Sequence, residues 1–212
     1  MSKQHLADRL IAEFDRGLRT LTKSSRHARR SNPALQLDDA TLSTHEARLC
    51  GRLMRVNHAG EIAAQGLYHG QALTAKDPAT LKQMQNSAKE EEDHLAWCEQ
   101  RLSELQTPRS LIGPVWYLGS YAIGAAAGVF GDRWSLGFVA ETEDQVEKHL
   151  DSHLDKLPQQ DLKSRAIIEK MKQDEHQHGQ TARDLGGKQL PRPVRKTMQL
   201  VSRVMTTGAY WI

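Results

Sequence analysis

Four glutamates occupy helical positions that otherwise hold apolar side chains, and they leave this 212-residue chain few folds to adopt. Met84, Ala88, Leu95, Cys98, Leu102 and Leu105 recur at spacings of three and four, with Glu91 in their register. Ile168, Met171, Ala182 and Leu185 do the same around Glu175 and His178. Glu61 falls among Leu49, Leu53, Val56, Asn57, Gly60, Ala64, Leu67 and Tyr68, and Glu143 among Val139, Val146 and Leu150. Such spacing marks one face of an α-helix. A carboxylate on that face is costly unless it is paired or bound to a metal. Gly60 adds a cost of about 1 kcal/mol against alanine in a helix interior. Two of the four acids open Glu-x-x-His motifs, Glu91 to His94 and Glu175 to His178, and residues three apart share a helix face. Glu141 and Glu147 fall off the third stripe and are expected in solvent. His58, His69, His149, His153 and His176 lack the register and are expected at the surface or behind the ligands, His149 lying one to two turns past Glu143.

Punctuation divides the chain into helices. The reading predicts long helices over 42–74, 79–105, 134–154 and 160–185. They are separated by Asp77-Pro78, Thr107-Pro108 and Leu157-Pro158 and ended by Gly186-Gly187. The fold class is all-α, a four-helix bundle with additional short amphipathic and apolar helices. Its first and third helices each supply one inward glutamate, its second and fourth each a Glu-x-x-His. That is the ligand set of a di-iron or di-manganese carboxylate bundle. Hard carboxylates with imidazoles suit iron or manganese, and the absence of a thiolate from the set argues against zinc or an iron–sulfur cluster.

Flanking segments differ in kind from the bundle. Residues 1–40 form a basic arm, in which Leu6, Leu10, Phe14, Leu18 and Leu21 make an amphipathic stripe among eight basic residues at 1–31. A membrane arm, a partner-binding helix or a targeting remnant all fit, although Asp8, Glu13 and Asp15 argue against a transit peptide. The bundle spans 41–190 and includes the uncharged insertion 110–131. Residues 191–212 form an amphipathic, membrane-facing helix with Val194, Met198, Val201 and Met205 on one face. The net charge of +3 conceals basic ends around an acidic middle. Without aromatic and basic residues interleaved, a lipid surface is expected and nucleic acid is not. The insertion reaches the ~20 residues that a span needs. Pro114 and five glycines instead predict a segment that dips into one leaflet or caps the bundle; a buried helix or a dimer contact is the bland alternative. Cys50 and Cys98 read as reduced, buried thiols. No apolar signal core opens the chain, so secretion is not expected.

RVNHAGEIAAQGLYHGQ around Glu61, KEEEDHLAWC around Glu91 and His94, FVAETEDQVEKHL around Glu143, and DEHQHGQTA around Glu175 and His178 resemble the demethoxyubiquinone hydroxylases. These are ferritin-like di-iron monooxygenases of ubiquinone biosynthesis. The resemblance covers roughly residues 40–212. It implies two iron ions per chain, one held by Glu61, Glu91 and His94 and the other by Glu143, Glu175 and His178, with Glu91 and Glu175 bridging. It further implies O₂-dependent hydroxylation of the ring of a polyprenyl demethoxyubiquinol by a peripheral membrane protein. The expected location is the cytoplasmic face of the inner cell membrane, or the mitochondrial inner membrane in a eukaryote. A homo-oligomer or a ubiquinone-biosynthesis complex is a further expected association. The quinol itself and NADH are the two candidate electron donors; no nucleotide-binding motif is visible, so the source stays open. The rival readings are another di-iron quinol oxidase or lipid oxygenase, and a non-enzymatic ferritin-like iron-binding protein.

Overall fold

The computed structural model describes residues 3–22 and 28–212, with side chains in the first helix from Ile11 onward except at positions 13 and 14. Seven helices and no strand occur among these residues: α1 (Lys3–Thr22), α2 (Thr44–Thr74), α3 (Pro78–Glu104), α4 (Gly113–Val129), α5 (Asp132–Lys156), α6 (Leu162–Asp184) and α7 (Arg192–Trp211). The four expected long helices are α2, α3, α5 and α6. The additional helices are not short: α1 and α7 have 20 residues each and α4 has 17.

Local signals account for the helix ends. Ser43 and Glu46 form a reciprocal capping box at the start of α2. Asp77 caps α3, with Pro78 in its first turn, and Asp161 caps α6. Gly186, at φ +90°, ends α6, and the Gly187 amide donates to the Ala182 carbonyl, a left-handed stop that glycine adopts without strain. Asp132, at the start of α5, accepts from the Lys76 and Asp77 amides and ties the α2–α3 turn to the second half of the bundle.

Short loops make α2–α3 and α5–α6 two helical hairpins, packed face to face. Their buried apolar residues form two layers. One contains Leu53, Met54, Trp97, Leu102, Leu150, Ile168 and Met171. The other contains Tyr68, Met84, Ala88, Val139, Ala140 and Ala182. On every one of the four helices the acids and histidines of interest lie between these layers, so the fold seals polar groups at mid-bundle from both ends. Beside the first layer, the buried Arg101 guanidinium contacts Asp161 at 2.9 Å and Asp39 and Glu104 at 2.8 Å each, and joins the 28–40 segment to α3 and α6.

α4 lies against α2 at backbone distance. A Cβ at Gly66 or Gly70 of α2 would run into the backbone of α4, and one at Gly124 of α4 would run into the backbone of α2. The glycines that make 110–131 a poor membrane span are thus what lets it dock along α2. The outer side of α4 exposes Val115, Leu118, Ile123 and Val129, with Leu111 and Phe130 beyond its ends. No helix among the described residues is long and apolar enough to cross a membrane.

α7 differs from the expected stripe. Val194, Met198 and Met205 are half-buried against the bundle, whereas Val201 is exposed with Leu200, Val204 and Trp211. The predicted apolar face is therefore the protein-facing one, because α2 and α5 offer it an apolar partner. Arg55 anchors the C-terminal end by donating to the Ala209 carbonyl at 2.8 Å and the Tyr210 carbonyl at 2.6 Å. Of the N-terminal stripe, the side chains of Leu6, Leu10 and Phe14 lie outside the described residues, as do Lys23 and Arg26. Leu21 packs with Ile62, Leu95 and Tyr117, and Leu18 is exposed.

Candidate metal centre

Each of the four glutamates and both motif histidines is at most 4% exposed. Glu61 comes from α2, Glu91 and His94 from α3, Glu143 from α5, and Glu175 and His178 from α6. Two groups have ligand atoms close enough together to hold an ion: Glu61, Glu91, His94 and Glu175 in one, Glu143, Glu175 and His178 in the other. Glu175 belongs to both. Its Oε1 lies 3.3 Å from His94 Nδ1, and its Oε2 lies 3.3 Å from His178 Nδ1. Glu91 spans the same two imidazoles, with Oε2 at 2.8 Å from His94 Nδ1 and Oε1 at 3.2 Å from His178 Nδ1. All six predicted residues therefore converge, and each of the two acids from the Glu-x-x-His motifs faces both histidines.

The residues fit divalent cations on two counts. Glu61 Oε2 is buried without a hydrogen-bond partner, and a carboxylate oxygen left so is costly unless a cation meets it. Among the described residues the ion pairs of these glutamates are with His94 and His178, so four carboxylates have two imidazoles to oppose them. Without metal, protons do that work. Burial, and then the charge of Glu91, push the Glu61 carboxyl well above its usual range. Burial, and then Glu175 and Glu91, do the same to Glu143. Burial opposes charge on His94, but Glu91, Asp174, Glu175 and Glu61 outweigh it and raise its pKa. His178 is likewise raised by Glu175, Glu90 and Glu91 against its burial.

Behind the imidazoles stand residues whose roles the sequence reading did not assign. His94 Nε2 lies 3.0 Å from Asp174 Oδ2, which Arg30 Nη1 holds at 2.7 Å, while Lys170 reaches the other Asp174 oxygen at 2.5 Å. Burial favours a neutral Asp174, yet His94, Lys170 and Arg30 together hold it well below the ordinary carboxylate range. A carboxylate there fixes the tautomer that leaves Nδ1 free to face the cluster. His178 Nε2 lies 3.1 Å from the more exposed Glu90. The Tyr68 hydroxyl donates to Glu143 Oε1. One available signal was Asp174 itself, immediately before Glu175 and next to the inward face. Arg30 had none, since it reaches Asp174 from a loop 144 residues away.

Other residues depart from expectation. Of the histidines expected at the surface or behind the ligands, His176 is exposed, whereas His58 and His153 are buried, His58 at 3.4 Å from Glu99 and His153 against His149. Glu147 is off the cluster as expected, 3.3 Å from His176. Glu141 is less solvated than expected, accepting from Gln145 at 2.8 Å beside Arg195. Cys50 and Cys98 are free and buried, as read from the sequence. The histidine side of the cluster is closed by Asp174 and Glu90. Glu61, Glu143 and Glu175 instead border a cleft between α2, α5 and α7.

Comparison with known proteins agrees with this arrangement. The sequence profile of the family described as ubiquinone biosynthesis protein COQ7 matches residues 48–209, which include all six cluster residues. The chain is 55% identical to the 3-demethoxyubiquinol 3-hydroxylase of Ralstonia pickettii (strain 12J), over 98% of this chain and 100% of that protein. It is 56% identical to the protein of the same name from Cupriavidus metallidurans, over 97% and 100%. For the Acinetobacter baumannii protein of that name the identity is 52%, over 97% of each chain. With the family match spanning all but the first residues of the bundle and near full-length relatives above half identity, this chain belongs to the ubiquinone biosynthesis protein COQ7 family.

Proposed function

We propose that this chain is a 3-demethoxyubiquinol 3-hydroxylase that holds two iron ions and uses O₂ to hydroxylate the ring of a polyprenyl demethoxyubiquinol. The observation that carries this reading is the pair of carboxylate–histidine groups sharing Glu175 at mid-bundle, bordered by the cleft between α2, α5 and α7. Glu61, Glu91 and His94 would hold one ion and Glu143, Glu175 and His178 the other, with Glu91 and Glu175, which each face both histidines, available to both. Two divalent ions balance four carboxylates when both imidazoles are neutral. When bound, the irons supply O₂ reduction and transfer of one oxygen atom to the ring. The chain's own part is to bind, orient and exclude. The apolar layers above and below keep water from the acids. Asp174 and Glu90 orient the imidazoles from behind, and Tyr68 holds Glu143. The test is anaerobic loading with ferrous iron followed by O₂ and a short-chain demethoxyubiquinol. About two irons per chain and a ring-hydroxylated product are expected. Quinone formation without hydroxylation, or iron oxidation that leaves the quinol unchanged, would replace this reading with a quinol oxidase or an iron-storage protein.

The substrate's isoprenoid tail keeps it in a bilayer, so the protein works at a membrane surface. Exposed Leu111, Val115, Leu118 and Phe130 at α4 and Leu200, Val204 and Trp211 at α7 supply the apolar contact, and the ends of the two helices meet where Ile112 and Trp116 approach Gly208. Arg192, Lys196 and Arg203 flank that surface with positive charge suited to anionic headgroups. The purified protein is expected to float with anionic liposomes at low salt, less at high salt, and not at all with Leu118, Phe130, Leu200 and Val204 replaced by serine. Screening weakens only the ionic part, so some binding persists in salt. A protein that stays at the bottom of the gradient at low salt overturns the membrane assignment.

A further inference from the structure

The cleft over Glu61, Glu143 and Glu175 is built to accept hydrogen bonds. Asn57 is buried on its wall, and its Oδ1 has no hydrogen-bond partner. Its amide nitrogen points the other way, toward Met54 Sδ at 3.9 Å. Across the cleft His149 Nε2 is equally buried and equally without a partner. Burial, aided by the charge of Lys156, holds the His149 pKa at about 4, so its imidazole is neutral, and with the ring proton on Nδ1 its Nε2 is an acceptor. Between them sits Gly60, where an added Cβ would meet nothing within 4 Å. Gly66, Gly70 and Gly124 are explained by the approach of α4; Gly60 is not, and its missing side chain leaves room next to Glu61.

Two unmet acceptors and an unfilled glycine in one apolar cleft are local costs that a bound group would remove. A dihydroxybenzene ring matches them: two donors on opposite sides of a flat apolar body. We propose that this cleft seats the quinol ring, with Asn57 Oδ1 and His149 Nε2 each accepting a hydrogen bond from a ring hydroxyl, and so selects the reduced ring over the quinone. The inference rests on the hydroxylase reading and adds to it the residues that recognise the substrate's redox state. A quinone carries only acceptor oxygens, so it leaves Asn57 Oδ1 unmet and, with the His149 proton on Nδ1, leaves Nε2 unmet as well. As it stands the cleft encloses about 50 Å³, room for a few waters and not for a ring. Seating the ring requires the middle of α7, with Ser202, Met205 and Thr206, to lift. The bonds that fix α7 lie toward its ends, at Arg55 to Ala209 and Tyr210 and at Gln145 to Arg195.

The test uses the full-length chain loaded with zinc in place of iron, under nitrogen, so that neither ring form is turned over. Binding of a short-chain methoxy-quinol, its quinone and its dimethyl ether is measured by calorimetry. The wild-type chain is expected to bind the quinol about 10-fold or more tighter than the other two, as a lost hydrogen bond in a closed site implies. His149→Phe and Asn57→Leu each erase most of that preference without changing zinc content, and His149→Gln, which keeps a carbonyl acceptor, preserves it. Gly60→Leu weakens all three ligands together. Equal affinity of the wild-type chain for quinol and quinone overturns the proposal without reference to any variant, as does a preference that survives both substitutions. Should the iron enzyme make product while the zinc form shows no preference, this inference alone falls. If the preference is found and no product forms, the hydroxylase reading falls instead.

Discussion

Replacing Glu175 with alanine is expected to empty both metal positions and lower turnover by at least about 10³-fold, the scale of losing the metal's contribution to the transition state. The reason is geometric. Glu175 is the one residue common to both groups, with one oxygen near each histidine. Its loss cannot stay local to one ion. Glu91→Ala is expected to match it, because Glu91 also faces both imidazoles. Changes behind the imidazoles act only by misdirecting a ligand that remains, so Asp174→Ala should cost about 10–100-fold in metal affinity or activity. Glu147→Ala should leave iron content at the wild-type level, since Glu147 contacts His176 away from the cluster. Metal analysis and single-turnover product yield on these four variants and on Glu143→Ala check this order. Iron that survives Glu175→Ala, or is stripped by Glu147→Ala while Glu143→Ala retains it, contradicts the assignment.

Stripping the metals should lower the melting temperature by about 10 °C, and the gap between the two forms should widen as pH rises from 5 to 8. A ligand at 1,000 times its dissociation constant contributes about 4 kcal/mol, and a chain of this length shifts by about 2–4 °C per kcal/mol. The direction with pH follows from the protons in the metal-free cluster. Glu61, Glu143, His94 and His178 all titrate above their ordinary values when folded. Stability from such groups is fully present below the unfolded pKa, near 4.5 for the acids and 6.5 for the imidazoles. It is lost as pH rises through the folded values. Glu91, driven down, acts below about pH 4.5 and outside this window. His149 and His153 are lowered, to about 4 and about 2, but lie outside the cluster, so their contribution is common to both forms and cancels in the gap. With metal bound, cations replace the protons and the cluster's pH dependence is suppressed. Calorimetry of loaded and chelated protein at pH 5, 6.5 and 8 reads the effect. An unchanged melting temperature on loading, or a gap that shrinks with pH, would place the metal elsewhere.

The six cluster residues were legible because each violates a local rule. A carboxylate in an apolar stripe stands out against its own helix, and the three-residue interval to a histidine repeats on a second helix. Helix ends were legible for the same reason, since Pro78, Asp161 and Gly186 act through their immediate neighbours. The histidines outside the motifs were not. His153 and His58 are buried by helices from other parts of the chain, and nothing in their own spacing announces it. Arg30 reads as one of eight basic residues in a basic arm, yet it is half of the support for Asp174.

The periodicity of hydrophobic residues, the placement of four acids within it and the capping residues between helices determine by themselves an all-α bundle with six candidate metal-ligating side chains at mid-helix. These are short-range properties, set within a few turns. Only the tertiary structure decides which surface each extra helix presents. The glycines of 110–131 predicted a leaflet dip or a bundle cap, and the α4 backbone lies directly on α2, because Gly66 and Gly70 answer Gly124 from the other side, which leaves Val115, Leu118 and Val129 exposed. Val194, Met198 and Met205 turn inward on α7 because α2 and α5 offer them a partner, which leaves Leu200, Val204 and Trp211 outside. The unmet acceptors of Asn57 and His149 are decided at the same level. A hydrogen-bond vacancy is a property of everything around an atom, and residues 92 positions apart meet across that cleft only after the hairpins have packed.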